Sequence, residues 1–174
     1  TRNDPVIASP PGGINSAKQS SALKEDWIPD AFVAACGRVL DDGLNGDPAL
    51  ASEALNLPAE AVLAEAVVAR GETIDPEAIH AARVNLRRHL AARLRDQFEN
   101  AWTALAAVLT SAAAYAPDGA QVVQRALRNA CIAYLAECDA EYLQTAVVPR
   151  LTAQLGLGDN RTGGNMTDEI AALA

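Results

Sequence analysis

The chain has 174 residues, half of them apolar and only 4% aromatic, with a formal net charge of −8 at pH 7. That length suits one domain, or two small ones, able to bury roughly 70% of the unfolded surface. A pI near 4.7 speaks against nucleic acid as the main partner, because phosphate binding calls for a net basic surface, and no apolar run reaches the roughly 18 residues that a membrane span needs.

Thirty-eight alanines against two phenylalanines, two tryptophans and three tyrosines predict an all-α fold, since alanine is the best helix former and strands favour the β-branched and aromatic residues scarce here. Residues 1–25 are rich in Pro, Gly and Ser, include Pro10-Pro11-Gly12-Gly13 and lack a helical period, which reads as a tether or irregular lead-in before a helical unit at 26–174. No apolar h-region opens the chain, so a secretory signal is not expected and a cytoplasmic location is.

From Trp27 onward one device recurs: an Asp or short polar stretch, a proline, then an apolar-periodic run. Proline suits the first helical turn because its missing N–H would have no partner there, and a preceding Asp caps free amides. Pro29-Asp30 opens a run to about Leu44, Asp47-Pro48 one to about Leu55, and Pro58 one to about Ala69. Asp75-Pro76-Glu77 opens the longest: Ile79, Ala82, Leu86, Leu90, Leu94, Phe98, Ala101, Leu105, Val108 and Ala112 recur every three or four residues without Gly or Pro. The spacing predicts one helix of about 36 residues and some 55 Å, with shorter helices laid along it. Asp118-Gly119 restarts the chain, with Val123, Leu127, Cys131, Tyr134 and Cys138 as the next apolar face. Asp139 caps a further helix carrying Leu143, Val147, Leu151 and Leu155, kinked at Pro149. Residues 156–164 read as a loop, and Thr167-Asp168-Glu169 as a helix start with a capping hydroxyl. That last helix has only about two turns and ends on apolar residues without a cap. With no initiator methionine, the reading is a piece of a longer polypeptide.

Few residues suggest chemistry. Cys36, Cys131 and Cys138 match neither a disulfide framework nor a zinc knuckle and read as small buried hydrophobes; on one intact helix, Cys131 and Cys138 would be about 10 Å apart, too far for a disulfide. His80 and His89 are nine apart on the long helix, unlike the i, i+4 pair of a helical zinc site. Asn160-Arg161-Thr162 and Asn165-Met166-Thr167 match the glycosylation pattern, which matters only in a secreted protein. Thr1 lacks the sheet scaffold and base that an N-terminal nucleophile requires. One basic cluster stands out: Arg83, Arg87, Arg88, Arg93 and Arg95, with no acid between Glu77 and Asp96. Arg83 and Arg87, one turn apart, offer a grip for an acidic surface or a phosphate backbone, but the cluster reads better as a solvated or interdomain face, with Arg83, Arg87 and Arg88 as the interdomain candidates. Arg125, Arg128 and Asn129, beside an apolar helix face, read as structural donors tying neighbouring helix ends or loop carbonyls together.

The run Arg125-Ala126-Leu127-Arg128-Asn129-Ala130-Cys131-Ile132-Ala133-Tyr134-Leu135-Ala136, followed by Gly164-Asn165-Met166-Thr167-Asp168-Glu169-Ile170-Ala171-Ala172-Leu173, closely resembles the C-terminal helical domain of the proteobacterial aminopeptidase N family of gluzincin zinc metallopeptidases. Asp75-Pro76-Glu77-Ala78-Ile79, Asp47-Pro48-Ala49-Leu50-Ala51 and Leu55-Asn56-Leu57-Pro58 fit the same domain in the same order. The first 25 residues and the loop near Gly158 to Gly163 carry little of the likeness.

The resemblance implies a parent enzyme that removes N-terminal residues from peptides, with one zinc held by two histidines and a glutamate and a second glutamate as base. Those motifs belong to an upstream domain and are not in these residues, so no catalytic, cofactor-binding or metal-ligating residue is expected in this chain. The implied fold is an irregular, superhelical array of armadillo- or HEAT-like helix pairs around the long helix, roughly the first half of the family's domain. It covers the catalytic face and encloses a peptide chamber. The implied partners are the rest of the parent and, indirectly, peptide substrates, with no nucleic acid or membrane. The alternative is a freestanding helical scaffold that binds a peptide or protein on its concave face.

Overall fold

The structure, a computed structural model, describes residues 28–111, 118–157 and 166–173. The tether expected at 1–25, the end of the long helix near Ala112, most of the 156–164 loop and both glycosylation-pattern asparagines lie outside them. The described residues form helices and connecting turns: α1 (Asp30–Asn45), α2 (Pro48–Ala54), α3 (Glu60–Ala69), α4 (Pro76–Arg93), α5 (Arg95–Ser111), α6 (Gly119–Leu135), α7 (Ala140–Tyr142), a π-helical turn (Leu143–Val147), α8 (Val148–Gln154) and α9 (Met166–Leu173).

The aspartate device starts four of them. Asp47 Oδ1 accepts from the amides of Ala49 and Leu50, both at 3.0 Å. Asp75, Asp118 and Asp139 accept from Ala78, Gln121 and Tyr142 at 3.0, 2.8 and 2.8 Å. Each bond satisfies one of the amides left without an intrahelical partner at a helix start. The stops are equally local. Gly71 (φ 75°) and Gly156 (φ 69°) take the left-handed conformation, and Glu72 N and Leu157 N reach back five residues to the Val67 and Thr152 carbonyls, the paired-bond ending that glycine makes cheap. Pro58 sits two residues before α3, which has no side-chain cap. At the last helix, Thr167 lies inside α9 rather than ahead of it.

The predicted long helix is bent. At Leu94 the backbone leaves the helical region (φ −115°, ψ 17°), while Leu94 N still bonds to Leu90 O and Phe98 N to Leu94 O, each at 2.9 Å. Neither Pro nor Gly is present, so packing imposes the turn. Arg93 reaches Asp30 at the start of α1 (2.8 Å), whereas Arg95 reaches Asp139 (3.5 Å) and lies 3.9 Å over the Tyr142 ring. The bend lets α6 touch both α4 and α5. Cys138 is in the turn after α6, not on its face, and its thiol donates to the Ala91 carbonyl in the last turn of α4 at 3.9 Å.

Pro149 leaves no sharp break either. The π-helical turn precedes it, with Val148 N bonded five residues back to Leu143 O, so the chain runs from α7 into α8 with the missing N–H taken up by wider pairing.

α6 is the hub, packed against α2, α4, α5, α9 and the π-helical turn. Phe98 of α5 stacks on Tyr134 of α6 (centroids 4.6 Å apart, planes 7° from parallel) amid Leu40, Leu90, Leu127, Ile132, Leu135 and Val147, all fully buried. At the α1/α2 crossing, a Cβ on Gly43 would lie 2.3 Å from the Ala51 Cβ, so glycine alone permits this approach. The fold is an all-α array of packed helices, the class expected from composition.

Candidate functional site

Three polar constellations stand on this scaffold. The first lines a groove of about 310 Å³ between α2, α4 and α6, bordered by Glu53, Asn56, Arg83, Arg87, Ala130 and Tyr134 among others. Arg83 Nε donates to Pro58 O at 2.9 Å and its Nη2 to Leu57 O at 3.5 Å, fastening the α2–α3 connection to α4. Arg87 Nη2 donates to Ala133 O at 2.9 Å near the end of α6, where cations suit the orphan carbonyls. Arg87 and Arg88 share Glu137, each at 3.5 Å. The groove is thus bounded by guanidinium groups already engaged with backbone, while the Arg88 side chain remains 63% exposed. Tyr134 donates its hydroxyl to Leu55 O at 2.7 Å, and burial pushes its pKa up to about 12.

The second constellation unites Arg125, Arg128 and Asn129 of α6 with Gln154 of α8 and Asp168 of α9. Asp168 is only 4% exposed. Its carboxylate meets Arg128 Nη2 at 2.6 Å and Arg125 Nε at 3.4 Å, and accepts from Asn129 Nδ2 at 3.3 Å. Gln154 Nε2 donates to Asn129 Oδ1 at 3.0 Å and to the Asp168 backbone carbonyl at 3.1 Å. Arg125 Nη1 also donates to Gln121 Oε1 at 2.9 Å. A buried acid held by two guanidinium groups and two amides joins three helices. The sequence pointed to the α6 donors; Asp168 read only as part of a helix start, because nothing local reveals an acceptor's partner 40 residues away.

The third, not anticipated from sequence, is a ladder between α5 and the α7–α8 segment. Arg150 binds both Glu99 oxygens, one at 2.8 Å, and Tyr142 donates its hydroxyl to the same carboxylate. The Arg150 guanidinium also lies 4.2 Å over the Trp102 ring. The Arg150 hydrogen bond holds the Glu99 carboxyl below its ordinary value, and burial raises the Tyr142 phenol. The spacing of 51 residues between Glu99 and Arg150 hides such a pair from any local reading.

The remaining candidates are dispersed. His80 Nδ1 lies 2.8 Å from Glu60 Oε1, linking α4 to α3, and the Nε2 of His89 is buried. Cys36, Cys131 and Cys138 are free thiols that burial pushes upward, Cys131 to about 12, which disfavours thiolate chemistry. Among the described residues no three His, Cys, Asp or Glu side chains form a group that could hold a metal ion, and no helix is long and apolar enough to cross a membrane.

Residues 14–174 match the family described as "Domain of unknown function (DUF3458_C) ARM repeats". The chain is 32% identical over 147 residues to Aminopeptidase N of Escherichia coli (strain K12), covering 84% of this chain and 14% of that protein. It is 34% identical over 144 residues to Aminopeptidase N of Caulobacter vibrioides, covering 83% of this chain and 15% of that one. It therefore spans about a seventh of the length of these curated relatives. With its helical architecture, this establishes that the chain belongs to the DUF3458_C family of ARM-repeat domains, a C-terminal domain of aminopeptidase N.

Proposed function

We propose that this chain is a non-catalytic part of a zinc aminopeptidase that removes N-terminal residues from peptides, and that its helices cover the active-site face and shape the peptide chamber. The observation that carries the reading is the match of residues 14–174 to an ARM-repeat family, together with likeness to two Aminopeptidase N proteins of whose length the match covers about a seventh. Among the described residues no His, Cys, Asp and Glu side chains are grouped to hold a zinc ion, and in this reading Lewis-acid chemistry belongs to other residues of the parent. What these helices supply is steric. Packed pairs form a wall whose rigidity comes from the α6 hub, and a wall selects by excluding what cannot pass it.

Arg125, Arg128 and Asn129 act in this reading as structural donors that hold α9 in place. Arg83, Arg87 and Arg88 brace the α2–α3 connection and the end of α6, and the exposed side of that cluster faces the remainder of the parent, with peptides as indirect partners. A cytoplasmic setting accords with three free cysteines.

The test compares this chain with the product of its complete coding sequence. The longer protein should hydrolyse aminoacyl substrates and carry one zinc, while the chain alone should do neither. Tightly bound, stoichiometric zinc in the isolated chain, or a coding sequence with no peptidase region, would overturn the proposal.

A further inference from the structure

α9 is amphipathic in the unexpected sense. Its buried residue is Asp168, whereas Met166, Ile170 and Leu173 are 73%, 59% and 75% exposed. At about 100° per residue these three lie some 140–200° around the helix from Asp168. They therefore form one apolar stripe on the face opposite the ionic node. The carboxylate that meets Arg125 and Arg128 fixes the rotation of α9. By placing the acid inward, it turns the apolar stripe outward.

We infer that the Met166–Ile170–Leu173 stripe is the seam on which a neighbouring helical repeat of the parent chain docks, with the Arg125–Arg128–Asp168 node as the device that aims it. The inference rests on the proposal that this chain is part of a longer aminopeptidase. Three observations select that occupant. The family is an ARM-repeat family, and such repeats bury apolar faces against their immediate neighbours. The Aminopeptidase N relatives have about six sevenths of their length outside the matched region, so further chain is at hand. Three side chains on a helix of eight residues, only about 12 Å long, offer far less surface than the ~800 Å² per partner of a standard interface between separate molecules. Within one chain, covalent linkage removes the translational cost that so small a contact could not offset.

The experiment uses the full-length protein carrying Ile170→Cys, with thiol labelling mapped by mass spectrometry so that the native cysteines are read separately. In the native protein the introduced thiol should react at least about tenfold more slowly than in the same protein unfolded in urea, and equally slowly at every protein concentration. Adding Leu173→Ser should restore much of the reactivity. Labelling at the unfolded rate overturns the seam, and protection that disappears on dilution overturns it in favour of a second copy. Should Ile170→Cys fail to fold, Met166→Cys at the start of the helix is read by the same criteria. Hydrolysis of an aminoacyl substrate by the same preparation scores the parent assignment separately, so a face that is open in an active enzyme sinks the seam alone.

Discussion

Single atoms decide several features of this domain. Gly43→Ala would set a methyl group 2.3 Å from the Ala51 Cβ, with Leu127 Cδ2 also close at 3.2 Å. Alanine would bring about 1 kcal/mol of helix propensity, but overpacking at a rigid backbone crossing costs about 1–3 kcal/mol. The expected net is a loss, seen as a lower thermal midpoint with unchanged helical circular dichroism. Glu99 governs a pH effect. Its folded pKa lies below the ordinary 4.5, first because of the Arg150 hydrogen bond, so the folded state binds fewer protons than the unfolded state there. The ion pair therefore contributes its full stabilisation above pH 4.5 and loses it as pH falls through the lowered folded value. Urea midpoints of the protein and of Glu99→Gln should differ most near neutral pH and converge as pH falls through the lowered folded value of Glu99. Equal separation at all pH values would show that Arg150 does not act through this charge.

Helices with local punctuation were legible, and those shaped by distant contacts were not. Asp47, Asp75, Asp118 and Asp139 announce helix starts because an aspartate cap needs only its own next three residues. The bend at Leu94 has no such signal: the apolar period runs straight through it, and Arg93 and Arg95 part company only because Asp30 and Asp139 lie in different directions. Pro149 was visible, but the π-helical turn that absorbs it was not, since wider pairing is a response of the backbone and not a sequence pattern. The α6 donors of the buried node could be picked out as polar residues beside an apolar face, whereas their acceptor on α9 required the fold. Removing that acceptor should be costly: Asp168→Asn removes the carboxylate charge that two buried guanidinium groups meet, a loss of about 3–5 kcal/mol. Hydrogen exchange in α9 and at the end of α8 should accelerate well before α5 or the middle of α6 changes.

Across the whole molecule, apolar residues are exposed at more than one end. Val62 and Val68 of α3 are both about half exposed, and α3 has no buried residue, so α9 is not alone in presenting an unfinished surface. A solenoid unit of this sort draws stability from its neighbours. The isolated chain should therefore melt below the corresponding region of the full-length protein, a comparison that differential scanning calorimetry of both can make. Equal midpoints would mean that the described helices are already self-sufficient.

The position of α6 also sets a timetable. It packs over α2 and α5, yet Tyr134 is separated from the Leu55 carbonyl it caps by 79 residues. On a ribosome adding about 5–20 residues per second, that separation corresponds to about 4–16 s between the appearance of the early helices and the arrival of the one that covers them. During those seconds Ala51 and Leu55 lack the helix that buries them in the finished domain.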